Sequence, residues 1–397
     1  MPESITATIG WSISTDAGLA GREAAERAQA QQSGRSPQLA IVFGSSWFDQ
    51  PSLLQGIRSV VHQTPLVGAS TAGEIIPNGP LSHSCVVLLL SSEGMACSVG
   101  VGEGVDRAPR EAGQQAAYTA MQGFRGTQRS GFLLFGDGLV TSYADVIRGL
   151  QEVVGTGSLI AGGLAGDDLR YTKTYQYYND RVMSGAVVGV LLGGAGRLGV
   201  GIEHGFAPIS KPRQITRAHG NVLVELDRQP AASVYEEYFG ADLIQRLRRD
   251  GPTRQGIAYP LGIQCETADR WLLRNVVSFG DDGSLSCSGE ILEGSWLQLM
   301  MGSRNLALDA ARRSAQQAVR SLSRVAAVLV FDSVARRTLL GPHQAAAEVT
   351  CLRETVGLSV PVVGCYTYGE QAPLESASLS GRTAVQTGSV LVVAIGT

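Results

Sequence analysis

Two stretches of the chain carry the same set of groups at the same spacing. One is Pro65-Leu66-Val67-Gly68-Ala69-Ser70-Thr71-Ala72-Gly73-Glu74; the other is Pro361-Val362-Val363-Gly364-Cys365-Tyr366-Thr367-Tyr368-Gly369-Glu370. Pro, Val, Gly, Thr, Gly and Glu recur at one constant offset. A Gly-rich turn directly after a buried strand lets backbone N–H groups approach a ligand. Thr71 and Thr367 add hydroxyls, and Glu74 and Glu370 add carboxylates. A carboxylate for an ammonium group beside N–H groups for a carboxylate suits a zwitterion such as an amino acid. The candidate ligand-binding set is therefore Ser70, Thr71 and Glu74 from the first loop, and Tyr366, Thr367, Tyr368 and Glu370 from the second, with Arg336, after the strand at 326–331, as a further contact. The plain alternative is a structural turn, in which Gly supplies the backbone freedom and Thr and Glu only close it.

The elements around these loops repeat as well. A diverged third copy reads Leu159-Ile160-Ala161-Gly162-Gly163-Leu164-Ala165-Gly166-Asp167-Asp168. Each copy follows a strand that ends in Phe and turns: Phe43-Gly44-Ser45, Phe135-Gly136-Asp137 and Phe331-Asp332-Ser333. The interval to the loop is long enough for one helical crossover, and an apolar strand follows at 85–90, 186–192 and 389–395. The repeated unit is strand, turn, helix, strand, Gly-rich loop, strand. Further strands are expected at 5–10, 39–43, 65–67, 132–135, 159–161 and 175–178, and helices at 18–31, 52–63, 110–121 and 143–154. The first of these helices is Ala-rich and polar, with a poorly defined packing face. The second half reads as a meander at 222–226, 274–277, 285–287 and 296–300. A helix at 305–321, a strand at 326–331, a helix at 345–355 and strands at 360–363, 383–386 and 389–395 follow. Pro208, Pro212 and Gly220 interrupt any regular element between the halves. The expected fold is α/β (α+β): two domains, 1–215 and 216–397, each with a mixed sheet packed by helices. Pseudo-symmetry between the two loops predicts Glu74 and Glu370 on the same side of the molecule.

Composition narrows the function. Of 397 residues, 44% are hydrophobic and 17% charged, enough for a real core. The net charge is −3, and the short pairs Arg248-Arg249 and Arg336-Arg337 do not make the basic stripe that nucleic acid needs. No apolar run reaches the length of a membrane span and no signal-peptide pattern opens the chain, so the expected location is cytoplasmic, with no membrane insertion. Cys85, Cys97, Cys265, Cys287, Cys351 and Cys365 are scattered without a C-x-x-C pair, which reads as free thiols in a reducing compartment.

Taken in order, these motifs resemble the FIST family of bacterial signal-transduction and some F-box proteins. The V-G-x-x-T-x-G-E loop and Gly162-Gly163-Leu164-Ala165-Gly166-Asp167 look like its N-terminal domain. The run from His204 to Ile209, the run from Gly220 to Asp227 and Pro230-Ala231 look like the passage joining its two domains. Tyr259-Pro260-Leu261-Gly262-Ile263, the turn from Glu290 to Gly294, the second loop and Arg382-Thr383-Ala384-Val385 look like its C-terminal domain. The resemblance runs from about residue 40 to 393. It departs where the family tends to carry Cys then Arg after a strand; here Asp332-Ser333 stands before Arg336. The family's frequent Asn before Thr383 is replaced by Gly381-Arg382. The resemblance implies a small-ligand sensor, with amino acids as proposed ligands, whose output passes through a separate signalling protein such as a histidine kinase. It also implies an alternative, a haem-binding nitric-oxide sensor; His204 would then be the first choice as axial ligand.

Two other readings compete. A ligand-free interaction scaffold has the same sequence signature. An enzyme would need a nucleophile in context, but Gly68-Ala69-Ser70-Thr71-Ala72 lacks the last Gly of a nucleophile elbow, and no His–Asp pair supports it. Asp137, Asp167, Asp168 and Asp332 sit at strand ends, where turn formation and helix capping are their ordinary roles and a divalent cation the alternative. The expectation is therefore no catalytic residue, no metal and no resident cofactor.

Overall fold

The computed structural model describes residues 4–240, 242, 245, 259–264, 271–374 and 383–397. Cys265, the Arg248-Arg249 pair and Gly381-Arg382 lie outside the described residues.

The repeat in the sequence becomes three copies of one unit. In each, two parallel strands are joined by a helical crossover: Leu39–Ser45 with Leu66–Thr71, Arg129–Gly136 with Ile160–Leu164, and Val325–Ser333 with Val362–Thr367. An antiparallel strand (Cys85–Ser91, Ala186–Gly194 or Ser389–Gly396) pairs with the first of these, and an edge strand (Thr6–Ser12, Met95–Glu103 or Arg197–His204) pairs with it in turn. Cys85–Ser91 and Ser389–Gly396 are buried along their whole length. Such unbroken apolar runs belong to sheets covered on both faces. The inner faces of all three sheets meet in one core, while helices cover each outer face.

The units are interlocked. The hairpin after each Gly-rich loop leaves its own sheet and extends a neighbour's. Glu74–Ile76 of the first unit pairs with Val362–Thr367 of the third. Gln176–Tyr178 of the second pairs with Leu66–Thr71 of the first, and Glu370–Pro373 of the third pairs with Ile160–Leu164 of the second. Three six-stranded sheets therefore close into a ring.

Residues 206–302 are inserted into the third unit, between its edge strand Arg197–His204 and its first helix Arg304–Val319. They form the second domain, a nine-stranded sheet with a separate core. The expected boundary at 215/216 falls inside the strand Arg213–His219. The ring itself is completed only by the last hundred or so residues, because Arg197–His204 pairs with Ser389–Gly396.

Two edge strands, Met95–Glu103 and Arg197–His204, are absent from the sequence reading. Glycines dilute their apolar pattern for a packing reason: a Cβ at Gly102 would stand 1.9 Å from Ala112 O, and one at Gly199 1.9 Å from Ala318 O. Helix backbones rest directly on these strands. The same contact explains the Ala-rich first helix, Ala17–Ala30, which seats Ala24 against Gly10 and buries Ala20, Ala24, Ala25 and Ala28. Among the described residues no helix is long and apolar enough to cross a membrane. Cys85, Cys97, Cys287, Cys351 and Cys365 are free thiols.

Candidate functional site

At the centre of the ring the strand-ending phenylalanines meet. The rings of Phe43, Phe135 and Phe331 form a triangle with centroids 6.1, 6.1 and 5.9 Å apart. Two residues on, Ser45, Asp137 and Ser333 each use the side chain to fix the following turn. Ser45 Oγ accepts from Trp47 N–H at 3.1 Å, Asp137 Oδ1 from Leu139 N–H at 2.9 Å, and Ser333 Oγ from Ala335 N–H at 3.4 Å. Asp137 is occupied by this turn and, through Oδ2, by Gly185 N–H at 2.9 Å.

The two V-G-x-x-T-x-G-E loops close in the same way. The Thr71 hydroxyl donates to Glu74 Oε1 at 2.5 Å, and Ser84 donates its N–H (3.3 Å) and hydroxyl (2.5 Å) to Oε2. In the other loop Thr367 donates to Glu370 Oε1 at 2.7 Å, and Ser389 donates its N–H (3.3 Å) and hydroxyl (2.6 Å) to Oε2. Both carboxylates are fully buried. Burial pushes Glu74 up to about 7 and Glu370 up to about 8, against the opposing pull of their serine and threonine partners. Both glutamates follow the carboxyl ends of central strands, on the same side of the ring, and both bear on the Cys365 thiol between them. The counterpart in the second unit is not Asp167 or Asp168 but Gln176. Ala186 N–H donates to its Oε1 at 3.2 Å, and its Nε2 donates to Thr174 at 3.2 Å. Residues 166–174 intervene before this latch and displace it along the sequence.

That extra segment lies over the end of the ring. Asp167 takes N–H groups from Tyr171 (2.8 Å), Thr172 (2.6 Å) and Lys173 (2.9 Å), and the Tyr368 hydroxyl at 2.5 Å. Burial would raise its carboxyl, yet the Tyr368 hydroxyl and the backbone donors outweigh this and hold it below its ordinary value. Ser70 ties the segment down, donating to Gly166 O at 2.7 Å and accepting from Tyr175 N–H at 2.8 Å. Tyr171 stacks on Tyr368 with centroids 4.8 Å apart. Asp168, Leu169 and Tyr171 have φ of 55°, 63° and 52°. Side chains rarely adopt that conformation, and three within four residues mark stored strain. Asp168 Oδ2 accepts from the hydroxyls of Ser45 and Ser46, both at 2.8 Å. Arg170 Nη2 donates to the same Ser46 hydroxyl at 2.9 Å and to Ser46 O at 3.1 Å.

The remaining candidates separate from this end. Arg336 is fully buried under the outer helices, where its Nε donates to Asp332 Oδ1 at 2.7 Å and its Nη2 to Glu348 and, at 3.1 Å, to Ala307 O. Burial raises Glu348 well above its ordinary value, with the Asp332 carboxylate adding to the rise. The cluster joins the two halves of helix Val334–Val356 across the kink at Gly341. Tyr366 is buried beside it under the Arg337 guanidinium, 4.6 Å from its ring centroid. His204 is half-buried, and its Nδ1 accepts from Phe206 N–H at 3.3 Å.

Of the sequence candidates, then, Ser70 and Tyr368 anchor the segment at 166–174, Thr71, Glu74, Thr367 and Glu370 latch their own loops, and Arg336 and Tyr366 lie on the outer side of the third sheet. Sequence reasoning missed Ser45, Ser46, Arg170, Ser84 and Ser389. For the last two a signal existed: serine stands at this position in the two units with Glu, and Ala186 stands there in the unit with Gln.

Known family models match most of the chain. A model described as the FIST N domain matches residues 38–229, and one described as the FIST C domain matches 231–373. An uncharacterized protein of Methanocaldococcus jannaschii is 25% identical over 281 residues, 66% of this chain and 53% of its own length. An uncharacterized protein of Mycobacterium tuberculosis is 28% identical over 227 residues, 56% of each chain. The chain thus spans about half the length of the curated relatives it matches. Among solved structures, a cyanuric acid hydrolase from A. caulinodans aligns over 99% of this chain and 100% of its own, with 12% identity and a TM-score of 0.39.

Proposed function

The chain belongs to the FIST family, whose domains are associated with sensory signal transduction, and we propose that it senses a free amino acid at the end of the ring under residues 166–174. The observation that carries this reading is the pair Asp168 and Arg170. They have opposite charge and are held by one serine, Ser46, yet among the described residues neither forms an ion pair. A zwitterion supplies both missing partners: its ammonium group meets Asp168 and its carboxylate meets Arg170. The exposed rings of Trp47 and Tyr171 stand on the adjacent residues and offer apolar surface to its side chain. Glu74 and Glu370, first nominated for the ammonium group, keep their Thr and Ser partners in this scheme. They hold the loops that carry the site.

The protein acts in this reading as a cytoplasmic, non-catalytic receptor without a resident cofactor. Its output passes to a separate signalling protein such as a histidine kinase. Isothermal titration against the common amino acids is the direct test. The expected result is heat with a restricted set of ligands, lost in both Asp168→Asn and Arg170→Ala while the far-UV spectrum stays unchanged. Binding that survives both substitutions, or no heat with any amino acid, rejects the site.

A further inference from the structure

The first and second units contain the same tyrosine–glutamine pair with its members exchanged. In the first unit Gln50, at the start of helix Gln50–Val61, meets Tyr177 from the hairpin that joins this sheet. In the second, Tyr143 at the start of helix Tyr143–Val154 meets Gln371 from the corresponding hairpin strand Glu370–Pro373. Both tyrosines lie over the glycine that follows the strand-ending Phe. A Cβ at Gly44 would stand 3.0 Å from the Tyr177 hydroxyl, and one at Gly136 1.9 Å from the Tyr143 hydroxyl.

The first pair is complete. Tyr177 donates to Gln50 Oε1, and Gln50 Nε2 donates to Ser45 O at 3.0 Å and Phe48 O at 2.9 Å. The second pair is open. Tyr143 and Gln371 are fully buried and the Gln371 amide lies against the Tyr143 hydroxyl, yet neither the hydroxyl nor either amide atom completes a hydrogen bond of good geometry. Gln151 Nε2, two turns along the same helix, and Thr383 Oγ1, on the strand paired with Glu370–Pro373, are also buried without partners. The helix begins at Ser142 with no side-chain cap. Buried polar groups in native proteins have partners, so the open Tyr143 hydroxyl and Gln371 amide invite one.

We propose that the seam between helix Tyr143–Val154 and the strand Glu370–Pro373 binds a small uncharged molecule through a carboxamide edge. An amide with both its atoms open is matched by another amide. The ligand carbonyl accepts from Gln371 Nε2 and from the Tyr143 hydroxyl, and the ligand N–H donates to Gln371 Oε1. Charge favours a neutral ligand. Asp137 faces the Tyr143 hydroxyl, Arg148 is paired with Asp145 and Glu290, and Arg274 donates to the backbone oxygens of Leu273, Glu290 and Val385. A carboxylate entering here meets one more negative charge and no cation that lacks its partners. Thr141 and Ser142, next to Tyr143 in the chain, are exposed. The site also touches the joint between the domains. Val385, opposite Gln371, accepts from Arg274 of the inserted domain at 3.2 Å, and Thr387 donates to Leu273 O at 2.9 Å. This inference is independent of the amino-acid site at Asp168 and Arg170.

The experiment is thermal unfolding of the full chain with acetamide and, as its charged isostere, sodium acetate, each at about 50 mM. Acetamide is expected to raise Tm by about 2 °C or more and acetate to leave it unchanged. Gln371→Leu removes the open amide, so it should keep or raise the ligand-free Tm and lose the acetamide shift. Gln50→Leu breaks the closed pair and should lower the ligand-free Tm while keeping the shift. Tyr143→Phe, which preserves the ring packing, should reduce the shift and serves if Gln371→Leu does not fold. No acetamide shift in the wild type, an equal shift with acetate, a shift retained in both seam variants, or a crystal structure soaked in acetamide that shows only water in the seam overturns the proposal.

Discussion

Glu74 and Glu370 are the carboxylates that the sequence offered to a ligand, and the fold buries both. Each is satisfied by one threonine and one serine, so neither is a stray charge, yet burial still favours the protonated form. Gln176 does the same work in the second unit with a group that is always neutral. The sign of the pH dependence follows. A carboxyl raised from 4.5 to about 7 or 8 binds its proton more tightly when folded. Its stabilising contribution is fully present below about pH 4.5 and is lost as the pH rises through 7 to 8. Urea unfolding across this range should show stability falling from pH 5 to pH 9, apart from other groups. Glu74→Gln with Glu370→Gln should flatten that fall and leave the double variant the more stable form at pH 9. A double variant with the wild-type slope would show that the latches do not titrate in this window.

At the level of elements, glycine decides more than side-chain hydrophobicity. Gly100 and Gly102 lie under helix Pro109–Gly123, and Gly199 and Gly201 under helix Arg304–Val319, with helix carbonyls where a Cβ would go. Gly102→Ala places its methyl against Ala112 O and should cost about 1–3 kcal/mol, because backbone rather than a flexible side chain must yield. Gly220→Ala, with nothing within 4 Å but a φ of 58°, isolates the purely conformational cost at roughly 1 kcal/mol. Denaturant midpoints of the two variants separate the effects; equal losses would mean that the helix has room to move. This packing also explains why the apolar central strands were legible and the glycine-bearing edge strands were not. Periodicity detects side chains that pack, not positions where the missing side chain is what allows packing.

At the level of the molecule, the ring and the insertion are unequal partners. Residues 206–302 have their own sheet and core, whereas the first 204 residues lack most of the third unit. The hairpin strand Glu74–Ile76 would then lose its partner Val362–Thr367, and Ile160–Leu164 would lose Glu370–Pro373. Expressed alone, 206–302 should give a dispersed NMR spectrum, and 1–204 should be aggregated or molten because it exposes unpaired strand edges. A monomeric, cooperatively unfolding 1–204 would mean that the interlocked hairpins are dispensable.

The sequence by itself determined the repeat, the α/β class, the central strands with their crossovers, and the family, because each rests on local spacing or on contiguous apolar runs. It also nominated the loops that crowd one end of the ring. Only the tertiary structure decided what those loops do. Whether Thr71 and Glu74 face a ligand or each other depends on Ser84, ten residues past Glu74, just as Glu370 depends on Ser389. The exchange of hairpins between units and the open Tyr143–Gln371 pair depend on contacts between residues more than a hundred positions apart. A linear pattern records which groups are present. Burial and the partner supplied by a distant segment determine whether a group is spent on the fold or left to meet something else.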